Sequence, residues 1–275
     1  MRSSAASDVY KRQVLTLSKD NDKLNKIVTK YYNKWKQTKY VKEYNDAYLN
    51  YYLEANTLDA KTKAELISKN YTYGYVENPP YEQQVNGKVA GIAGEYVDRV
   101  ARLSGINFKY KEYKTVKDLE KAIDKGEIDL YFDYYNYNNE KYKSTLSTFI
   151  ERYVVLGKEE DNHIVTSFES MKNEEIAMLE NDSLYNYFSN NSKAKIKTYK
   201  TIEELVKNSE DRLIVIDQEI YTHYQNKEFK KLKLLYTDTM MNDYKFMVKD
   251  NNEAFYDLFL SLIHISEPTR QAEIS

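Results

Sequence analysis

Cysteine is absent from this chain, and glycine (seven), proline (three), histidine (three) and tryptophan (one) are scarce. Without cysteine there is no disulfide framework and no thiolate metal site. That absence is compatible with an extracytoplasmic bacterial protein but does not decide the compartment. His163, His223 and His264 have no carboxylate or second histidine at metal-ligand spacing. No phosphate loop, nucleophile elbow or paired-carboxylate motif occurs, so no catalytic residue, metal or cofactor is expected. No apolar run approaches the roughly 18–20 residues of a membrane-spanning helix. A formal net charge of −2 gives no basic field for nucleic acid. What is plentiful is tyrosine, 29 residues spread over the whole chain and read here as compositional bias.

Both ends differ in composition from the rest. Residues 1–13 and 263–275 carry Arg, Ser, Ala and Pro in a chain otherwise rich in Lys, Asn and Tyr, and are set aside as non-native flanks. A missing leader peptide therefore says nothing about location. Residues 14–65 form a helical segment. Between Asp22 and Leu53, Leu24, Ile27, Val28, Tyr31, Tyr32 and Trp35 recur at helical spacing, and a second helix carries Tyr40, Val41, Tyr44, Tyr48 and Leu49. These are read as a hairpin packing on the following domain. A short helix ends near Ser68.

The rest is organised around Tyr71 to Asp133, where strand and helix patterns alternate. A strand from Tyr71 to Val76 breaks at Asn78-Pro79-Pro80-Tyr81, and a turn falls at Asn86-Gly87. Ile92, Tyr96, Val97, Val100 and Leu103 make one face of a helix. A strand follows from Ile106 to Tyr113. Thr115 is then the N-cap and Gly126 the C-terminal stop of another helix, before the strand Ile128 to Phe132. Strands alternating with helices at short intervals imply parallel pairing through right-handed crossovers. A second set runs through Ile176–Leu179, a helix from Ser183, Ile196–Tyr199, a capped helix at Thr201, Leu213–Ile216, a helix from Gln218 and Leu232–Tyr236. Tyr244 to Val248 and a closing helix bearing Phe255, Leu258 and Phe259 return the chain to the first set.

The motifs in this order resemble the type 2 periplasmic binding proteins, in their small polar-solute and amino-acid branch. The segments concerned are Gly74 to Tyr81 (GYVENPPY), Gly87 to Gly91 (GKVAG), Ala122 to Leu130 (AIDKGEIDL) and Leu213 to Asp217 (LIVID). The resemblance implies an α/β, two-lobe clamp over residues 66–262. Lobe 1 takes residues 66–157 and 243–262 and lobe 2 residues 162–238, with hinges near Leu156 to Asn162 and Thr237 to Asn242. Residues 14–65 resemble the closing helices of the same family, as if the tail of a preceding binding domain.

In such a clamp the ligand lies at the carboxyl ends of the strands. This places Glu77 and Tyr81 after the first strand, with the Tyr81 ring covering an apolar part of the solute or merely packing a rigid turn. Asp133 and Tyr134 stand where the branch usually has small hydroxyl or glycine residues. Lys141 aligns with the branch's carboxylate-binding arginine, although Lys cannot form the same bidentate fork. Ser183 opens a helix and either holds an anion or simply caps. Asp217 holds a ligand amine or is a plain N-cap. Arg152, near the hinge strand, is a weaker candidate.

The implied function is an extracytoplasmic domain binding a small polar or amino-acid-like solute between two lobes, the sensor part of a membrane-bound signalling protein. Alternatives are the substrate-binding component of an ABC transporter, a dehydratase-type enzyme using Glu77 or Asp133, and an occluded interaction module filled by Tyr134 and Tyr135.

Overall fold

The computed structural model describes residues 17–40, 43, 47, 50–51, 60–135, 137, 139–145, 149–158, 160, 162–180, 183–209 and 212–262. The chain divides into two compact units, residues 1–50 and 51–275. In the first, helix α1 (Asp22–Thr38) starts where the Asn21 side chain accepts from the Leu24 amide. Its apolar stripe exists as read from the sequence, yet α1 buries none of its residues; Ile27 and Tyr31 are 55% and 67% exposed. The Trp35 indole donates to Glu43. Much of the second expected helix, including Val41, Tyr44, Tyr48 and Leu49, lies outside the described residues, as do both flanks.

The second unit opens with α2 (Ala60–Ser68) and β1 (Asn70–Val76). A short hairpin, β2 (Gln83–Val85) and β3 (Lys88–Ala90), turns through Asn86 and Gly87, both at positive φ as a tight primed turn requires. Gly91 then starts α3 (Ile92–Ser104) at φ 95°, where a Cβ would lie 2.4 Å from the Pro80 carbonyl, so only glycine fits between turn and helix. β4 (Asn107–Tyr113) follows. Helix α4 (Val116–Lys125) is capped by the Thr115 side chain and stopped by left-handed Gly126, as the sequence indicated. β5 (Leu130–Asp133) is buried throughout. β1 pairs in parallel with β4 and β5, the arrangement expected of crossover helices.

After β6 (Tyr142–Ser144) and β7 (Phe149–Lys158) comes the second set. It comprises β8 (Glu175–Leu179), α5 (Ser183–Asn191), β9 (Lys195–Tyr199), α6 (Ile202–Asn208), β10 (Leu213–Asp217) and α7 (Gln218–Tyr224). β11 (Leu232–Lys249) and a helix over residues 253–262, α8, complete the unit. The strands run in the order β4-β1-β5-β11-β7-β10-β8-β9, with β6 also on β11. These are the two lobes of a clamp, and the long antiparallel pair β7–β11 runs through both.

Two details differ from the sequence reading. Tyr153 to Leu156, placed in the first lobe from sequence, pair with β10 and so join the second lobe's sheet. The chain therefore crosses upstream of them. Thr237 to Asn242, read as a connection between two strands, lie within continuous β11; the register against β7 shifts between Thr239 and Asp243. The crossing segment is paired with its antiparallel neighbour up to Thr239 and again from Asp243, on either side of that shift. Two cores result. Tyr71 stacks on Phe255 of α8, with ring centroids 3.8 Å apart, behind the first lobe's sheet. In the second lobe Met171, Ile176, Met178, Leu184, Phe188, Leu213 and Val215 pack together.

Candidate functional site

The first jaw is built by the turn after β1. The Asn78 amide donates to the Glu82 carbonyl (2.7 Å) and the Tyr81 amide to the Asn78 carbonyl (2.9 Å), with a cis peptide between Pro79 and Pro80. This tight turn drives the Tyr81 side chain inward until it is 1% exposed. Its ring stacks on Tyr134 (centroids 5.7 Å, 18° between planes) and meets Tyr244 edge-on at 5.1 Å. Phe132 lies alongside at 6.1 Å.

The second jaw is Asp217, the last residue of β10. Its Oδ1 accepts from the Glu219 and Ile220 amides at 2.8 and 3.0 Å, so it is the N-cap of α7. The Tyr81 hydroxyl donates to the same oxygen at 2.8 Å. The cap and site readings of Asp217 are thus not exclusive: one oxygen fixes the helix start and meets the opposite lobe.

Behind this contact lies a chain of buried polar groups. The Tyr244 hydroxyl is 3.0 Å from Asp217 Oδ2 and 2.9 Å from Glu151 Oε1, and Ser183 Oγ donates to Glu151 Oε1 at 2.7 Å. Ser183, Glu151, Tyr244, Asp217 and Tyr81 are all no more than 3% exposed. Burial first, and then the Asp217 charge, push the Tyr81 phenol well above its ordinary range, so it stays protonated and donates.

The structure therefore brings together Tyr81, Ser183 and Asp217 from the sequence-predicted set, with Tyr134 stacked on Tyr81. Ser183 opens α5, and its hydroxyl donates to the protein's own Glu151 carboxylate. Asp133 is buried at the end of β5, where its Oδ1 accepts from the Tyr135 and Tyr137 amides at 3.2 and 3.1 Å. It shapes the loop carrying Tyr134 and Tyr135, whose hydroxyls hydrogen-bond to each other. Glu77 is exposed beside the jaw. Lys141 is not brought to the cluster. It is exposed, and its ammonium donates to the Asp124 carbonyl near the C-terminus of α4, where a cation is favoured by the helix dipole.

Three residues were missed. Glu151 and its neighbour Arg152 point to opposite sides of β7; Arg152 is exposed and Glu151 buried. A lone acid flanked by strand-forming residues was the available signal. Tyr244 was one tyrosine among 29. Glu82, 1% exposed, accepts a hydrogen bond from the Tyr73 hydroxyl. Burial pushes its carboxyl up from 4.5 to about 8, with the Tyr73 and Tyr134 hydroxyls acting in the opposite direction.

Donors and acceptors thus meet between the two lobes beside a set of aromatic rings. Among the described residues, no group of three or more His, Cys, Asp or Glu could hold a metal ion, and no helix is long and apolar enough to cross a membrane.

Residues 71–256 match the family of bacterial extracellular solute-binding proteins, family 3, and the chain belongs to that family. Among curated proteins, none matches it. Similar solved structures include the substrate-binding protein of an amino acid ABC transporter, at 18% identity and TM-score 0.57, covering 74% of this chain and 96% of that one. The VFT2 domain of Bordetella pertussis BvgS (a double mutant) is 14% identical with TM-score 0.64, covering 78% and 96%. The GluR0 ligand-binding core in complex with L-glutamate is 17% identical with TM-score 0.59, covering 74% and 96%. At these identities the likeness is one of fold.

Proposed function

We propose that this solute-binding domain is the extracytoplasmic sensor part of a membrane-bound signalling protein, and that a small polar or amino-acid-like solute acts by shifting a latch between the two lobes, the Tyr81–Asp217 contact. The observation that carries the reading is the hydrogen bond from Tyr81 to Asp217, 2.8 Å long between residues 136 apart in sequence and on opposite lobes. A latch between the two lobes makes output depend on a conformational equilibrium that solute can bias, which suits a sensor. The likeness to a BvgS domain supports the sensor reading, and the transporter-derived relative supports the alternative of delivery to a membrane transporter.

A second reading, an occluded interaction module, is favoured by the tyrosine filling: Tyr81, Tyr134 and Tyr244 are each buried where a ligand would sit. The test separates the two. Tyr81→Phe keeps the ring and removes the latch, a charge-assisted hydrogen bond of about 1.5–3 kcal/mol, or a shift of roughly 10- to 150-fold in the closed-to-open ratio. Small-angle scattering should show expansion in the variant, reversed by some member of a panel of amino acids and small polar solutes. If the variant stays as compact as the native protein and no solute gives a binding heat to either, the sensor reading fails and the occluded module stands.

A further inference from the structure

We infer that Glu82 is the positioning residue of the first jaw, and that loss of its proton weakens the Tyr81–Asp217 latch, so that the latch responds to pH. The inference rests on the latch reading above and gives the same contact a second input, the proton. Its footing is the way the turn after β1 is held. One anchor is the backbone pair of Asn78 and Glu82, each amide donating to the other's carbonyl. Another is the start of α3, where the Ile92 and Ala93 amides donate to the Pro80 and Tyr81 carbonyls, each at 3.0 Å. Neither of these can titrate. The third is the Glu82 carboxyl, which accepts from the Tyr73 hydroxyl of β1. The Tyr134 hydroxyl acts on that same carboxyl, and the Tyr134 ring stacks on Tyr81. Glu82 is thus joined to the latch residue twice, through the chain and through Tyr134.

The surroundings of Glu82 decide what its ionisation does. It is 1% exposed, and phenols face it: Tyr73 and Tyr75 from β1 and Tyr134 from the loop after β5. Behind them, Tyr110 of β4 and Tyr135 act on Tyr73. The charged groups at the border are acids. Glu77 and Glu112 act on Tyr75, and Asp98 of α3, paired with Lys88 and Arg102, acts on Tyr110. Among the described residues no cation acts on the Glu82 carboxyl. A buried carboxylate without a cation beside it is costly, so the proton is held to about pH 8. Burial pushes Tyr73, Tyr75, Tyr110 and Tyr134 above the ordinary phenol range, so they keep their protons while Glu82 loses its own. Ionised Glu82 is stabilised by water. The parts packed on it that also hold Tyr81 are its own turn and Tyr134, and a shift of either draws Tyr81 from Asp217. A raised acid of this kind favours the closed form at low pH. That preference is lost as pH rises toward about 8, by at most about tenfold in the closed-to-open ratio per pH unit.

The test is small-angle scattering of the whole chain between about pH 6 and 9 without added solute, a range that brackets the Glu82 titration, with circular dichroism alongside. The native protein should expand reversibly as pH rises, toward the radius of Tyr81→Phe, with no loss of helix or strand signal. Glu82→Gln keeps an acceptor for Tyr73 but no titrating proton, and should stay compact throughout. Tyr73→Phe removes a hydroxyl that lowers the Glu82 pKa, so its expansion should move to higher pH, which a merely structural role would not produce. A native radius constant over the range, beside an expanded Tyr81→Phe, overturns the inference and leaves the latch reading intact. Expansion of Glu82→Gln in parallel with the native protein places the titrating group elsewhere, at Asp217 or Glu151, and also overturns it. If Glu82→Gln does not fold, Tyr73→Phe decides, and an expansion at unchanged or lower pH overturns the inference. A compact Tyr81→Phe at all pH values removes the latch itself, and the inference falls with it.

Discussion

In the first lobe Tyr71, Tyr73, Tyr75, Tyr131 and Tyr142 are buried, while the second lobe fills the corresponding layer with Met171, Ile176, Met178, Leu184, Leu213 and Val215. Both lobes are sheets covered by helices, yet they meet different requirements. A buried methionine or valine needs only volume. A buried phenol also needs a partner for its hydroxyl. The first lobe provides these one by one: Tyr142 donates to the Ile128 carbonyl (2.7 Å), Tyr131 to the Tyr137 carbonyl (3.1 Å) and Tyr73 to Glu82. At the cleft the same habit continues across the gap, where Tyr81 and Tyr244 find Asp217 and Glu151. The comparison teaches that the first lobe's tyrosines are more than bulk. They are directional groups whose polar partners extend into the opposite lobe.

The largest effect that would break this contrast is a pH dependence. Glu82 carries a folded-state pKa of about 8 against an ordinary 4.5. A raised acid holds its proton in the folded state and loses it in the unfolded one. Its contribution is therefore complete below about 4.5 and is lost as pH rises toward about 8. The expected slope within that window is at most about 1.4 kcal/mol of lost stability per pH unit. Denaturant titrations across the window should show the decline, and Glu82→Gln, which keeps an acceptor for Tyr73, should flatten it. An equal slope in native and variant protein would remove Glu82 from the account.

Next in size is the hydroxyl of Tyr73. Tyr73→Phe takes from the buried Glu82 the hydroxyl that donates to it from β1 and should cost about 1–3 kcal/mol. It should also steepen the pH dependence, because the hydrogen bond it removes acts to lower the Glu82 pKa. A loss below about 0.5 kcal/mol would mean the first lobe tolerates phenols as plain bulk. The matching substitution in the second lobe should do least. Tyr153 packs among its aliphatic residues, and its buried hydroxyl has no hydrogen-bond partner among the described residues. Tyr153→Phe is expected within about 0.5 kcal/mol of native stability, or above it, since no bond is broken and a polar group leaves the core. If the two Tyr→Phe changes cost the same, the contrast between the lobes fails.

Much of the fold was legible because its signals are local. Thr115 and Gly126 mark the ends of α4, Asn86-Gly87 marks the β2–β3 turn, and Thr201 accepts from the Glu204 amide as its pattern indicated. Each depends on residues a few positions apart. Tyr81 and Asp217, each picked out by a motif, are brought together in the structure. Lys141 was placed by alignment to a pattern, but helix α4 offered its ammonium a nearer carbonyl.

The sequence by itself determined the order of strands and helices, their caps and turns, and the solute-binding clamp, because periodicity and backbone preference act over short range. Only the tertiary structure decided which of the many tyrosines and acids meet. Glu151 and Tyr244 are 93 residues apart and Tyr81 and Asp217 are 136 apart; the register of β7, β10 and β11 joins Glu151, Tyr244 and Asp217, and the turn after β1 brings Tyr81 to them. In a strand a shift of one residue exchanges the two faces. That shift separates exposed Arg152 from buried Glu151, and no count of residues along the chain contains it.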